Sequence, residues 1–171
     1  MSIQSVREHF KKFDREQDIL EYDQISATVE QAAVALNVIP ARIAKTLSFK
    51  DKEGNGFLVV TAGDAKVDNR KFRDQFEIKA KMLSADEVVE QTGHVIGGVC
   101  PFGLAKDLPI YLDISMKRFT TVFPACGSIN SAIELTCDEL MQYSGAIKWV
   151  DVSKDWNEQL QDSSHLEELS K

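Results

Sequence analysis

Gly93-His94-Val95-Ile96-Gly97-Gly98-Val99-Cys100-Pro101-Phe102-Gly103 places four glycines and a proline in eleven residues around a short apolar run. Glycine reaches positive φ or lets another group approach the backbone closely, and proline stiffens the exit. A helix does not tolerate this density, and a plain strand has no need of it. The stretch reads as a strand running into a loop whose exposed N–H groups line a site. A glycine-rich hairpin without chemistry would use the same residues. The spacing matches neither a phosphate-binding P-loop nor the dinucleotide fingerprint.

Around this stretch, 171 residues fit one domain with a substantial core. The composition, 43% hydrophobic and 27% charged, is ordinary for a soluble globular protein. No apolar run approaches the roughly 20 residues of a membrane span. Met1–Glu8 lacks the apolar segment of a signal peptide, so a cytoplasmic location is expected. Cys100, Cys126 and Cys137 are an odd count without C-x-x-C, against a disulfide framework or a structural zinc site. His9, His94 and His165 are scattered. No metal and no cofactor are expected.

The net charge is −7 and the isoelectric point about 5.0, against broad nucleic-acid binding. The charge is uneven. Asp151–Lys171 holds six acids and two bases, which leaves −3 for residues 1–150. Between Lys66 and Lys81, six bases (Lys66, Arg70, Lys71, Arg73, Lys79, Lys81) face three acids. This is either a local positive patch on a mildly acidic body or a solvated helix face.

In chain order, residues 3–13 have helical apolar spacing at Ile3, Val6, Phe10 and Phe13. Ile19–Tyr22 reads as a short strand. Thr28–Gln31, Ser84–Glu87 and Thr136–Glu139 are capping boxes that open three helices. Asp68 caps a fourth, through about Phe76, which carries the basic patch. Gly93 and Gly145 stop helices. Further strands are expected at 42–49, 57–63, 108–114, 120–124, 131–135 and 146–152, with 57–63 central because it is continuously apolar. Trp156, Leu160, Leu166 and Leu169 space a weak amphipathic helix or mark a mobile tail. Strands and helices mix without strict alternation, which predicts an α+β fold with a mixed sheet curled around a core.

Lys45 is the second sharp signal. In the strand 42–49 it shares a face with Leu47 and Phe49. An inward lysine is costly unless its surroundings form a pocket or supply a partner. A strand-end lysine that snorkels to water is the alternative.

These pieces resemble the YbaK / prolyl-tRNA-editing-domain family of aminoacyl-tRNA deacylases. The matching segments are Arg42–Leu47 with the helix before it, Gly93–Gly103, Asp113-Ile114-Ser115 and Phe123–Glu134, covering roughly residues 19–150. The resemblance implies a single domain with a mixed, barrel-like sheet flanked by helices. It implies hydrolysis of the ester of mischarged tRNA, often tRNA for proline bearing a wrong amino acid. The family's near-invariant lysine falls on Lys45, its G-x-x-x-P loop on Gly97–Pro101, and its small glycine-containing turn on Ala125-Cys126-Gly127. That turn often reads Ser-Ala-Gly or Ser-Gly-Gly in the family, and some members carry an aspartate where this chain has Ala132.

The resemblance therefore implies Lys45 as catalytic. It implies Gly97, Gly98, Val99, Cys100, Pro101, Ala125, Cys126 and Gly127 as substrate-binding, and His94, at a position variable in the family, is expected to bind substrate with Phe102 and Gly103 of the same loop. Lys66, Arg70, Lys71 and Arg73 are expected tRNA contacts. Ester hydrolysis needs a placed water and a stabilised oxyanion. No nucleophile–base pair is evident, since Cys100 reads as a packed residue and His94 as no more than an optional base. A water positioned by the loop, aided by the substrate's own hydroxyl, is the expected mechanism. Pocket size would select Ala, Cys, Ser or Thr, with walls expected from Leu47, Phe49, Val99, Phe102 and Ala125–Gly127. Expected partners are the acceptor end of tRNA and an aminoacyl-tRNA synthetase, without a membrane. The expected division is a domain over 1–154, with its N-terminal helix 3–13, and an acidic tail over 155–171. A non-catalytic tRNA- or synthetase-binding module, or a hydrolase of another small ester, remains the alternative.

Overall fold

The computed structural model describes residues 2–157. Its helices are α1 (Ser2–Lys11), α2 (Val29–Leu36), α3 (Asn69–Phe76), α4 (Ala85–Thr92) and α5 (Cys137–Ser144). Its strands are β1 (Leu20–Glu21), β2 (Ile43–Lys50), β3 (Gly56–Ala62), β4 (Lys66–Val67), β5 (Ile110–Asp113), β6 (Thr121–Pro124), β7 (Ser131–Ala132), β8 (Leu135–Thr136), β9 (Lys148–Val150) and β10 (Ser153–Lys154).

The helix ends follow the local code. Thr28, Ser84 and Thr136 each accept the N–H three residues on, and Gln31, Glu87 and Glu139 each reach back to the cap N–H. Gly93 (φ 77°) and Gly145 (φ 69°) end α4 and α5 in the left-handed conformation that glycine adopts without penalty.

Six strands form one mixed sheet in the order β8-β6-β2-β3-β5-β9. β2 and β3 pair antiparallel from Ala44↔Ala62 to Lys50↔Gly56. β6 joins β2 in parallel at Ile43↔Phe123, and β5 joins β3 in parallel at Leu58↔Ile110. The sheet curls into a half-barrel, the α+β architecture expected. β3 is buried along its whole length, because both faces of a central strand are covered. Leu58 and Val60 face a cluster with Val6 and Phe10 of α1, Leu112 and Leu140. Phe57 and Val59 face the opposite cluster, with Phe49, Phe72 and Val152. This is the two-residue period of a pleated strand. α2 seals a third cluster of Ala32, Ala33, Ile43 and Phe123.

Several expectations are corrected. Gly93–Gly103 contains no strand; it is loop throughout, with a tight turn closed by the Gly98 N–H on the Val95 carbonyl. The expected strand 131–135 breaks into β7 and β8, since Ile133 donates its N–H to Pro124 and buries its side chain in the core. The strand 108–114 stops at Asp113, whose carboxylate accepts the Ser115 N–H and starts a 3-10 turn. The strand 146–152 shortens to β9, and β10 pairs with β4, two strands that depend on each other rather than on local pattern. Leu160, Leu166 and Leu169 lie outside the described residues. No helix among the described residues is long and apolar enough to cross a membrane.

Candidate active site

A cavity of about 400 Å³ opens beside β2. Its walls come from distant parts of the chain: Val29 and Ala32 of α2, Ala44 to Thr46 and Ser48 of β2, Met82 and Leu83, Ile96, Gly97 and Val99 of the glycine loop, and Phe123, Ala125 and Ala132. The lining is mainly apolar, with Lys45 and a few hydroxyls as its polar groups. The Tyr22 hydroxyl donates to Ser26 Oγ (2.7 Å), which donates to the Ile129 carbonyl (2.9 Å). The buried Thr46 hydroxyl has no hydrogen-bond partner among the described residues.

Lys45 is half-buried, and its ammonium donates to the main-chain carbonyl of Ala65. Burial lowers its proton affinity, and Asp64 and Glu30 oppose that at longer range. Among the described residues no carboxylate pairs with it directly. The face parity that joined Lys45 to Leu47 and Phe49 holds only in part at the site. Leu47 and Phe49 turn into the cluster around Phe72 and do not line the cavity, and Phe102 is fully buried in the main core. The cavity wall expected from those three residues is therefore supplied instead by Thr46, Ser48, Val29 and Met82.

The glycine loop reaches the cavity through Ile96, Gly97 and Val99. Gly97 has φ 91°, and a Cβ there would sit 2.9 Å from that of Ala27. Gly98 lies behind it, against Gly127. Cys100, Phe102 and Cys126 are buried below the loop. Pro101 and Gly103 border a separate depression beside His9. Of the expected substrate-binding residues, Gly97, Val99 and Ala125 thus meet Lys45 at the cavity, Pro101 and Gly103 lie away from it, and the others form the support beneath.

His94 is one of these supports. It is fully buried, and its Nε2–H donates to the Phe102 carbonyl at 2.7 Å. That leaves Nδ1 as a buried acceptor with no partner among the described residues. Burial lowers its proton affinity and keeps the ring neutral. Burial pushes the Cys100 thiol up to about 12, so no thiolate is available there.

On the basic segment, Lys66 lies near enough to Lys45 to lower its proton affinity. Lys71 donates to Asp151 and to the Ser153 carbonyl, which ties α3 to the end of the sheet. Arg73 borders a surface groove with Lys52, Lys79 and Lys81.

Comparison with known proteins defines the class. A solved structure described as a "putative trans-editing enzyme for prolyl tRNA synthetase" superposes with a TM-score of 0.81 at 27% identity, covering 90% of this chain and 97% of that one. The fold is that of a small α+β editing domain. The model of the aminoacyl-tRNA editing domain matches residues 25–143, and the chain belongs to that family. YwhH of Bacillus subtilis (strain 168) is 60% identical over 156 residues, spanning 91% of this chain and 99% of its own. A protein of Enterococcus faecalis (strain ATCC 700802 / V583), named "Putative Cys-tRNA(Pro)/Cys-tRNA(Cys) deacylase EbsC", is 24% identical over 82% of this chain and 85% of its own.

The sequence reading missed Tyr22, Ser26, Thr46 and Met82 as cavity residues. Thr46 was within reach of pattern reasoning, since it alternates with Lys45 on a strand already marked. Tyr22 and Ser26 carry no local signal, because the turn from Gly127 to Asn130 places them.

Proposed function

We propose that this chain hydrolyses the ester of mischarged aminoacyl-tRNA, with tRNA for proline bearing Ala, Cys, Ser or Thr as the substrate class. One observation carries the reading: the half-buried ammonium of Lys45 stands at a mainly apolar cavity, with no carboxylate partner among the described residues. An ammonium so placed attracts an anionic oxygen, either the terminal phosphate or the oxyanion that develops on the ester carbonyl. The names of the two similar proteins, which mention prolyl-tRNA synthetase and Cys-tRNA(Pro), support the same substrate class.

In this mechanism the amino acid's side chain enters the cavity beside Val29, Val99 and Ala125, and size excludes larger ones. Lys45 holds the acceptor end. Water adds to the ester carbonyl carbon, the C–O bond to the ribose breaks, and the ribose oxygen takes the proton. Lys66, Arg70, Lys71 and Arg73 are proposed contacts to the tRNA backbone, with Lys66 closest to the reacting end and Lys71 the most constrained. Cys100 takes no covalent part.

The test is release of amino acid from tRNAs charged with Ala, Ser, Cys, Thr or Pro, with wild type and Lys45→Ala side by side. Turnover of one mischarged species that is lost in Lys45→Ala supports the reading. Binding of tRNA without turnover of any species favours the non-catalytic module, for which Ala132 on the cavity wall is the relevant feature. Turnover of a small ester but of no charged tRNA favours the other hydrolase.

A further inference from the structure

Three residues behind Lys45 form a chain of contacts that the mechanism leaves unused. Arg118 is almost wholly buried, 5% exposed at its side chain. Its two terminal nitrogens grip both oxygens of Asp64, at 2.9 and 2.6 Å. Asp64 directly precedes Ala65, whose carbonyl receives the Lys45 ammonium. The Arg118 guanidinium also donates to the Asn157 and Ser115 carbonyls and lies 4.8 Å from the ring centroids of both Phe119 and Trp156.

Asp64 is the charge that acts most strongly on Lys45. It faces the ammonium with Glu30 and Lys66, and its field acts to hold the proton on. A free carboxylate on that turn would compete with any anionic oxygen of the substrate. The bidentate fork removes this competition, because both carboxylate oxygens are already taken.

We infer that Arg118 is a positioning residue for Lys45: by occupying Asp64 it holds the Asp64–Ala65 turn in place and leaves the Lys45 ammonium free for the substrate. This rests on the deacylase reading for its catalytic consequence but not for its structural one. Trp156 and Asn157 cover the guanidinium, so the last described residues of the chain buttress the site from outside the cavity.

The test compares full-length wild type with Arg118→Met, Arg118→Met/Asp64→Asn and Arg118→Lys, each checked by thermal denaturation. Two readouts are taken. One is kcat and KM on the mischarged tRNA that wild type turns over. The other is the pH midpoint for acetylation of Lys45 by acetic anhydride, read by peptide mass spectrometry. Arg118→Met is expected to raise KM about tenfold with a smaller change in kcat, and to raise the Lys45 midpoint, as a released carboxylate pairs with the ammonium. Adding Asp64→Asn is expected to return both towards wild type, because removing both charges leaves neither buried and unpaired. Arg118→Lys covers the case in which Arg118→Met fails to fold, and its midpoint is expected to lie between the two. An unchanged Lys45 midpoint in the folded single variants, or no recovery in the double, overturns the inference. If wild type turns over no charged tRNA, the deacylase reading fails on its own, and the acetylation midpoints still decide the role of Arg118.

Discussion

The carbonyl of Gly98 accepts the N–H of Gly127 at 3.0 Å. This bond joins the glycine loop to the small-residue turn after β6, and together they carry Gly97, Val99 and Ala125 to the cavity. A Cβ at Gly98 would stand 2.6 Å from the Ser128 nitrogen and 2.8 Å from the Gly127 carbonyl carbon, where main chain cannot yield cheaply. Gly98→Ala is expected to destabilise the protein by about 1–3 kcal/mol, the usual cost of overpacking, and to lower turnover at least about tenfold. Gly54→Ala is the control. Its site has positive φ but open space, so it carries strain without touching the cavity. Thermal denaturation and deacylation rates on both variants check this.

Lys45→Ala is expected to lower kcat/KM by about 100-fold or more, the scale for loss of a charge-assisted contact to a developing oxyanion. Its thermal stability is expected to stay level or rise, because a half-buried ammonium with no carboxylate partner among the described residues costs desolvation. Lys45→Arg keeps the charge but presents a planar fork in place of a compact ammonium, and recovery of less than about a tenth of wild-type activity is expected. Steady-state kinetics with calorimetry separate these outcomes.

Cys100 is buried, and its thiol is pushed up to about 12, so at pH 7 only about one molecule in 100,000 carries the thiolate. Cys100→Ala is expected to keep activity within about threefold. Ellman's reagent is expected to leave Cys100 and the equally buried Cys126 unmodified in the native protein and to label both after denaturation. Rapid native labelling of Cys100 together with loss of activity would contradict the assignment.

His94 gives the protein a pH dependence of definite sign. Burial lowers its proton affinity below the ordinary 6.5. The unfolded chain therefore takes up a proton that the folded chain refuses once the pH falls below about 6.5. Stability is full above that pH and declines as the pH falls towards the lowered folded value, by at most about 1.4 kcal/mol per pH unit for one group. His9 shifts in the same direction by partial burial. His94→Gln is expected to make the decline in melting temperature between pH 7 and 5 shallower. An unchanged slope would show that the loss arises elsewhere.

How much of this was legible in the sequence depends on how local each feature is. The three capping boxes, Asp68 as a cap and the glycine stops all form as read, because each is decided within four residues. The central position of β3 followed from its unbroken apolar run. Lys45 was legible as a conflict, a lysine on the strand face that also carries Leu47 and Phe49. The partition of its neighbours was not. Which face of β2 meets the cavity depends on α2 and the segment 82–85, neither of which leaves a mark in the strand's own pattern. The burial of His94 was invisible for the same reason, since its partner carbonyl belongs to Phe102, beyond the turn. The Arg118–Asp64 pair spans 54 residues and gave no periodic signal at all. Short strands such as β4 and β10 exist only as each other's partners.

The parallel pairing of Ile43 with Phe123 carries a consequence for the order of events during synthesis. These partners lie eighty residues apart, and pairing them is the step that brings α2, β2 and the turn after β6 around one space. Contacts so distant in sequence are slow to form, because the intervening chain must lose its freedom before they reward it. The β2–β3 hairpin can assemble on a nascent chain long before β6 leaves the ribosome. The cavity cannot, and a chain halted before Phe123 would display a formed hairpin with no chamber beside it. The complete cavity therefore arrives in one late step with the pairing of β6, and pulse-labelled hydrogen exchange should find the amides of β6 among the last to be protected.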